Sequence, residues 1–265
     1  MITLASDFGT PYPAAMKGVI LGRTDARLVD VAHDFPRQDV RSAAFWLREV
    51  LPYFPPAVHL VVVDPGVGTD RAALAVRAGD HALVGPDNGV LLPAARALAS
   101  PAVAGDASAP DAGIEVFEVE YDDAETESST FHGRDVFAPA AADVHEAGTG
   151  SFESLDRIAP VDDYADLRFP APDLDRDSGA AVGEVLVVDG FGNAVTNLPG
   201  DLLAGRDAVR VNGEHAPVAR AYAALAPSER LVTVGSHGNV ELAVNRGRGD
   251  EAFGVSVGDG VRVTW

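Results

Sequence analysis

The sequence predicts an α/β domain followed by an all-β domain. Three observations predict it. The first half alternates short apolar runs with stretches of helical spacing, the grammar of strand-helix-strand units around a parallel sheet. One run, His59-Leu60-Val61-Val62-Val63, is continuous and rich in β-branched residues, as in a buried strand of such a sheet. Past residue 180 the pattern changes to short strands separated by Gly, Asn and Asp, as in a sandwich or barrel. The boundaries read from this are an N-terminal α/β domain with a central, mostly parallel sheet over 1–170, a linker over 171–182 and a smaller β domain over 183–265.

Met1 to Ser6 reads as the first strand and runs into a turn rich in breakers, Asp7-Phe8-Gly9-Thr10-Pro11-Tyr12-Pro13. A helix follows over Ala14 to Gly22, then a strand over Arg27 to His33. Val40, Ala44, Leu47 and Leu51 share one helical face, with Asp39 as the cap. The central strand ends at Asp64, because Pro65 and Gly66 stop it. Leu74 to Arg77 and His81 to Val84 read as paired strands around Ala78-Gly79-Asp80. Val90 to Ala99 reads as a helix, 100–113 as a surface connection, Glu115 to Val119 as a strand, 122–129 as an acidic loop and Val136 to Ala147 as a helix. The stretch from Asp162 to Gly179 holds six Asp and two Pro and reads as an exposed linker. Strands are expected at 183–188, 208–211, 231–234, 240–244 and 260–265. No internal repeat or heptad pattern is present.

Composition narrows the function. The 265 residues carry a net charge of −20. Lys17 is the single lysine, so nearly all positive charge is arginine. The acids are spread along the chain rather than blocked, which reads as adaptation to a high-salt cytoplasm where self-repulsion is screened. Phosphates would be repelled, so nucleic acid is not an expected partner. Cysteine is absent, which excludes disulfides and thiolate metal sites. The N-terminus lacks a basic leader and no run reaches membrane-spanning length, so a cytoplasmic protein with no membrane partner is expected.

Chemistry-bearing residues gather at glycine-flanked turns: Ser6-Asp7-Phe8-Gly9, Asp64-Pro65-Gly66, Gly85-Pro86-Asp87-Asn88-Gly89, Phe131-His132-Gly133-Arg134-Asp135, Asp189-Gly190-Phe191-Gly192-Asn193 and Gly235-Ser236-His237-Gly238-Asn239. Glycine lets backbone approach a ligand closely. Asp64 is delivered at the carboxyl end of a strand, where open α/β sheets place ligands. Arg71 follows a loop that can fold back onto it. With His132 these groups can position or deprotonate a water. The competing reading makes His132 a packing or capping residue and Arg71 a solvated one. No carboxylate pair or histidine spacing fits a metal, and no GxSxG, P-loop or GxGxxG is present, so neither metal nor cofactor is expected.

Together these motifs resemble the S-adenosyl-L-methionine (SAM) hydroxide adenosyltransferases, or SAM hydrolases, relatives of the fluorinase and chlorinase. The matching pieces include Ser6-Asp7-Phe8-Gly9 with Met16-Lys17-Gly18, Asp64-Pro65-Gly66-Val67-Gly68 with Arg71, Phe131-His132-Gly133-Arg134-Asp135, Asp189 with Phe191-Gly192-Asn193, and Ser236 with Glu241-Leu242-Ala243-Val244-Asn245. They span the whole chain. The resemblance implies an N-terminal α/β domain, a barrel-like C-terminal domain, and attack of water on C5′ of SAM to give adenosine and L-methionine. It leaves the sulfonium epimer open and admits the (R)-form.

The resemblance further implies water activation by Asp64, Arg71 and His132. It puts Asp7 at the ribose, and Asn193, Phe191, Tyr222, Glu241 and the backbone of Val244 at adenine. Asp189, Ser236 and His237 fall at the methionine end. Core packing is the other reading of Phe191 and Tyr222. The chain departs from the family at Thr10-Pro11-Tyr12, where relatives carry a second acid used on the ribose hydroxyls. A chlorinase-like halogenase is the nearest alternative, and a non-catalytic SAM or adenosine sensor is another. The fluorinase has Ser at the position of Gly133 and an insertion after its counterpart of Arg77, features this chain lacks. The resemblance also implies a homotrimer with sites at subunit interfaces.

Overall fold

The computed structural model describes residues 1–99, 111–122 and 126–265. Most of the connection read over 100–113, and the middle of the acidic loop over 122–129, lie outside them. Backbone contacts divide the chain into two units, Met1–Arg168 and Phe169–Trp265.

The N-terminal unit is built on a seven-stranded sheet. Its elements in order are β1 (Ile2–Ser6), α1 (Tyr12–Leu21), β2 (Leu28–Ala32), α2 (Val40–Val50), β3 (Val58–Val62), β4 (Ala73–Ala78), β5 (His81–Pro86), α3 (Leu92–Ala99), β6 (Ile114–Val119), α4 (Ala138–Ala147) and β7 (Ile158–Pro160). The strand order is β2-β1-β3-β5-β4-β6-β7. The pairings from β2 to β5 are parallel and those from β5 to β7 antiparallel. The β2–β1 and β1–β3 pairs are parallel because of the α1 and α2 crossovers, while β5 lies parallel to β3 as the return arm of the β4–β5 hairpin. The antiparallel half begins at the hairpin where Gly79 takes φ +57°.

β1 and β3 are buried along their whole length, as expected of central strands covered on both faces, and the polar Thr3, Ser6 and His59 are buried with their apolar neighbours. Ile2, Leu4, Leu60 and Val62 form one core with Met16 and Ile20 of α1 and Ala138 and Ala141 of α4. α2 and α3 pack against each other. Asp39 caps α2, its carboxylate accepting the Ser42 N–H at 2.9 Å. Ahead of α4, Gly133–Phe137 form a wider π turn where the sequence reads plain helix from Val136.

The C-terminal unit holds β8 (Asp173–Asp175), β9 (Ala180–Val188), β10 (Ala194–Pro199), β11 (Ala208–Val211), β12 (Glu214–Pro217), β13 (Arg230–Val234), β14 (Asn239–Val244), α5 (Gly249–Phe253) and β15 (Gly260–Thr264). β8 and the start of β9 occupy residues read as linker. Asp173–Asp175 pair with Ala180–Val182, so part of that acidic stretch is ordered by a ladder rather than left as a tether. Besides β8, β9 serves two neighbours along the sheet: residues 180–184 pair β15 and 185–188 pair β10. The path β12-β11-β15-β9-β10-β14-β13 returns on itself where Val218 bridges Val232, giving a nearly closed antiparallel barrel. Val185, Leu198, Val232, Leu242 and Val263 fill its interior.

Candidate active site

β1 and β3 run side by side with Ser6 opposite Val62. The residues following them therefore leave the sheet at the same end, Asp7 from one strand and Asp64 from the other. β2 lies on one side of β1 and β3 on the other, so the chain reverses direction across the sheet here. Open α/β sheets bind ligands at such a switch point. A cavity of about 370 Å³ opens there, lined by Asp7, Phe8, Tyr12, Asp64, Phe131 and His132 together with Ser128, Thr130 and apolar neighbours.

The loop after β3 encloses Asp64, whose side chain is only 6% exposed. Its Oδ1 accepts the Gly66 N–H at 3.0 Å, and Arg71 Nε lies 3.4 Å from the same oxygen. The fold-back expected from the sequence thus brings Asp64 and Arg71 together. It depends on two glycines. A Cβ on Gly66 would collide with the Arg71 guanidinium, and Gly68 takes φ +80° with Ser129 O in the place of its Cβ. Arg71 Nη1 also donates to Asp87 O at 3.4 Å, and Tyr121 Oη donates to Arg71 O at 3.3 Å. Asn88 Nδ2 donates to Val63 O at 2.8 Å, tying the end of β5 to that of β3.

His132 is buried just before the π turn and caps no helix amide. The Tyr121 ring stands edge-on to it, centroids 5.7 Å apart. Burial pushes the Asp64 carboxyl above its ordinary range, against the opposing pull of the Gly66 N–H, Arg71 and His132; Asp7 adds to the upward push. A desolvated carboxylate with a guanidinium on it and an imidazole nearby can take a proton from a bound water. Among the described residues no cluster of three His, Asp or Glu could hold a metal.

Phe8, Tyr12 and Phe131 form an edge-to-face triangle with centroids 5.6–6.1 Å apart. Reasoning from sequence did not place this wall at the site. Its signal was an aromatic residue beside each of two breaker-rich turns.

The C-terminal unit holds a second polar group. Asp189 Oδ1 accepts the N–H of Phe191 at 2.9 Å and of Asn193 at 2.8 Å. Asp189 Oδ2 accepts Asn193 Nδ2 at 2.8 Å, and that amide also donates to Tyr222 Oη at 3.3 Å. Tyr222 Oη donates to Glu241 Oε2 at 3.1 Å. Burial, with the Glu241 charge beside it, pushes the Tyr222 phenol up to about 12. Burial also raises Glu241, against the hydrogen bond from Tyr222. Four residues expected at the substrate thus form one hydrogen-bonded chain. Phe191 is 83% exposed and Tyr222 41%, so neither is a core residue. Ser236 and His237 sit on the turn between β13 and β14, and Val244 is buried at the end of β14.

Residues 2–156 match the SAM hydroxide adenosyltransferase N-terminal domain and 183–262 its C-terminal domain. A protein of Salinispora tropica named (R)-S-adenosyl-L-methionine hydrolase is 40% identical over 99% of this chain and 97% of its own length. One of the same name from Thermus thermophilus is 41% identical over 97% of each chain. The crystal structure of an uncharacterized conserved protein from Thermotoga maritima superposes over 100% of both chains, with a TM-score of 0.79 and 33% identity. With matches to both domain families and relatives spanning nearly its full length, the chain belongs to the SAM hydroxide adenosyltransferase family.

Proposed function

We propose that the protein hydrolyses S-adenosyl-L-methionine, in its (R)-sulfonium form, to adenosine and L-methionine. The observation that carries this reading is the buried Asp64 held by Arg71 in the cavity that His132 also lines. The names of the relatives support the substrate and the epimer. Water attacks C5′ in line with the C5′–S bond. The C–O bond forms, the C–S pair returns to sulfur, and the released thioether is neutral. The leaving group needs no acid, so the burden falls on the nucleophile and its alignment. Asp64 takes the water's proton. Arg71 and His132 hold the carboxylate and the water in place. Charge spreads from the hydroxide-like oxygen and the sulfonium in the transition state, which a dry cavity favours.

Asp7 faces the ribose in this reading. Asn193, Phe191, Tyr222, Glu241 and the Val244 backbone receive adenine, while Asp189, Ser236 and His237 receive the methionine end. The exposed Phe191 and Tyr222 support a binding role, since exposed aromatics offer area for stacking on a base. The active unit is a homotrimer in the cytoplasm, with the N-terminal unit of one chain facing the C-terminal unit of the next. A head-to-tail contact of this kind must close to avoid filaments, and a threefold ring closes it. Each unit offering part of a site supports this arrangement.

Resolved SAM epimers incubated with the protein, with and without chloride, test the reaction. Adenosine from the (R)-epimer, independent of chloride, is expected. Chlorinated nucleoside, or no product, would overturn the reading. Mixed assemblies test the trimer: Asp64→Ala and Asn193→Ala chains, each impaired alone, should regain activity after co-assembly. Fully active monomer by light scattering would refute it.

A further inference from the structure

The carboxyl end of β2 carries a line of polar side chains that the reaction above does not use. Lys17 Nζ donates to Asp30 Oδ2 at 2.6 Å. Asp30 Oδ1 lies 3.0 Å from His33 Nε2, and His33 Nδ1 lies 2.7 Å from Ser6 Oγ. A carboxylate only accepts, so Nε2 is the nitrogen that carries the proton. In the neutral ring Nδ1 is then an acceptor, and the Ser6 hydroxyl donates to it. Ser6 is fully buried, so loss of this bond would strand its hydroxyl away from water.

The segment that begins at His33 also grips the loop after β1. His33 O accepts the Gly9 N–H at 2.7 Å. Gln38 N donates to Asp7 Oδ2 at 2.6 Å. Gln38 does so from φ +62°, a conformation that residues with a side chain rarely adopt and that tends to persist where surroundings impose it. Residues 33–38 therefore hold residues 6–9 at three points: the Ser6 hydroxyl, the Asp7 carboxylate and the Gly9 amide. Asp7 lines the cavity. It is the single carboxylate of the turn from Ser6 to Pro13, because Thr10-Pro11-Tyr12 supplies no other.

We propose that His33 is a positioning residue for Asp7, with Lys17 and Asp30 fixing its tautomer and ring plane, and that this grip sets recognition of the ribose. It rests on the reading of Asp7 as the ribose-facing group. A carboxylate that carries the ribose contact without a second acid must be aimed, and the 33–38 segment aims it. A purely architectural network would instead support every ligand contact equally.

Calorimetric titration separates the two. Adenosine and adenine are titrated into wild type, His33→Ala, His33→Asn, Asp7→Ala and the Asp7→Ala/His33→Ala double variant. His33→Ala should weaken adenosine about tenfold and leave adenine, which lacks the ribose, within twofold. His33→Asn restores a polar atom toward Ser6 and should recover most of the loss. In the Asp7→Ala background, removing His33 should cost less than twofold, because coupled residues are not additive. Equal losses for both ligands, or a full His33→Ala loss without Asp7, would overturn the proposal. Asp30→Asn changes a half-exposed residue and should move adenosine about threefold in the same direction should His33→Ala fail to fold; no change there would also overturn it. Wild type that binds adenosine yet releases none from SAM refutes the hydrolase reading alone. Wild type that binds neither ligand refutes both.

Discussion

The two polar clusters differ in how they treat their charges. In the N-terminal unit, Asp64 is withdrawn to 6% exposure, backed by the buried strand that ends beside it and pinned by Arg71. In the C-terminal unit, Asp189 spends its oxygens on the amides of its own turn, and the aromatics beside it face solvent. The first arrangement shifts a proton affinity and fixes a charge. The second shapes a turn and presents rings. The difference teaches that the sheet end is suited to chemistry and the barrel turn to holding a flat ligand.

The sharpest way to break this division is Asp64→Ala. Turnover should fall by about 10²–10⁴-fold, the range for a lost general base. Adenosine affinity should change by less than about tenfold, roughly 1.4 kcal/mol. Product chromatography and calorimetry read the two, and wild-type turnover would remove Asp64 from the mechanism. The barrel cluster should respond the other way. Asn193→Ala should raise KM about tenfold with kcat nearly kept, and Tyr222→Phe, which deletes the hydroxyl between Asn193 and Glu241, should raise it about fivefold, near 1 kcal/mol. A fall in kcat at unchanged KM would contradict the assignment.

The pH profile sharpens the same contrast. Burial raises Asp64 above the ordinary aspartate range. The base must be ionised, so kcat/KM should fall on the acid side at a higher pH than an exposed aspartate would give. Stability follows the opposite sign. The fold favours the protonated form, so this group's contribution is complete below the ordinary aspartate range and is lost as pH rises through the raised value. An acid limb near pH 4, the ordinary aspartate range, would count against a desolvated base. The smallest effect is global: with a net charge of −20, the melting temperature should rise along a KCl series. A flat curve would argue against salt adaptation.

Strand ends were legible because a β-branched run that stops at Asp-Pro-Gly leaves its carboxylate in one place. Asp64 and Arg71 meet as their spacing suggests. The π turn at 133–137 was not legible, since an extra residue per turn leaves no mark in composition. β10 escaped notice because Asn197 and Pro199 imitate a loop, and β12 because Glu214 and Pro217 bound only two residues. The mostly parallel sheet was legible from the alternation of strands and helices, and the paired strands around Gly79 from the turn between them; the parallel pairings run from β2 to β5 and the antiparallel ones from β5 to β7. The grip of Gln38 on Asp7 is a backbone amide in an unusual conformation, and no side-chain pattern announces it.

The β1–β3 pairing joins Ile2 to Val58, a separation of 58 − 2 = 56 residues. Contacts this distant close large loops and form slowly compared with a hairpin. During synthesis Asp7 is made early and β1 meets β2 first, but β3 and the Asp64 that follows it emerge only later, and His132 later still. The switch point is therefore absent from any short N-terminal fragment, however well its own helices form. Its appearance, followed through ligand binding by a growing chain, would time the completion of the sheet.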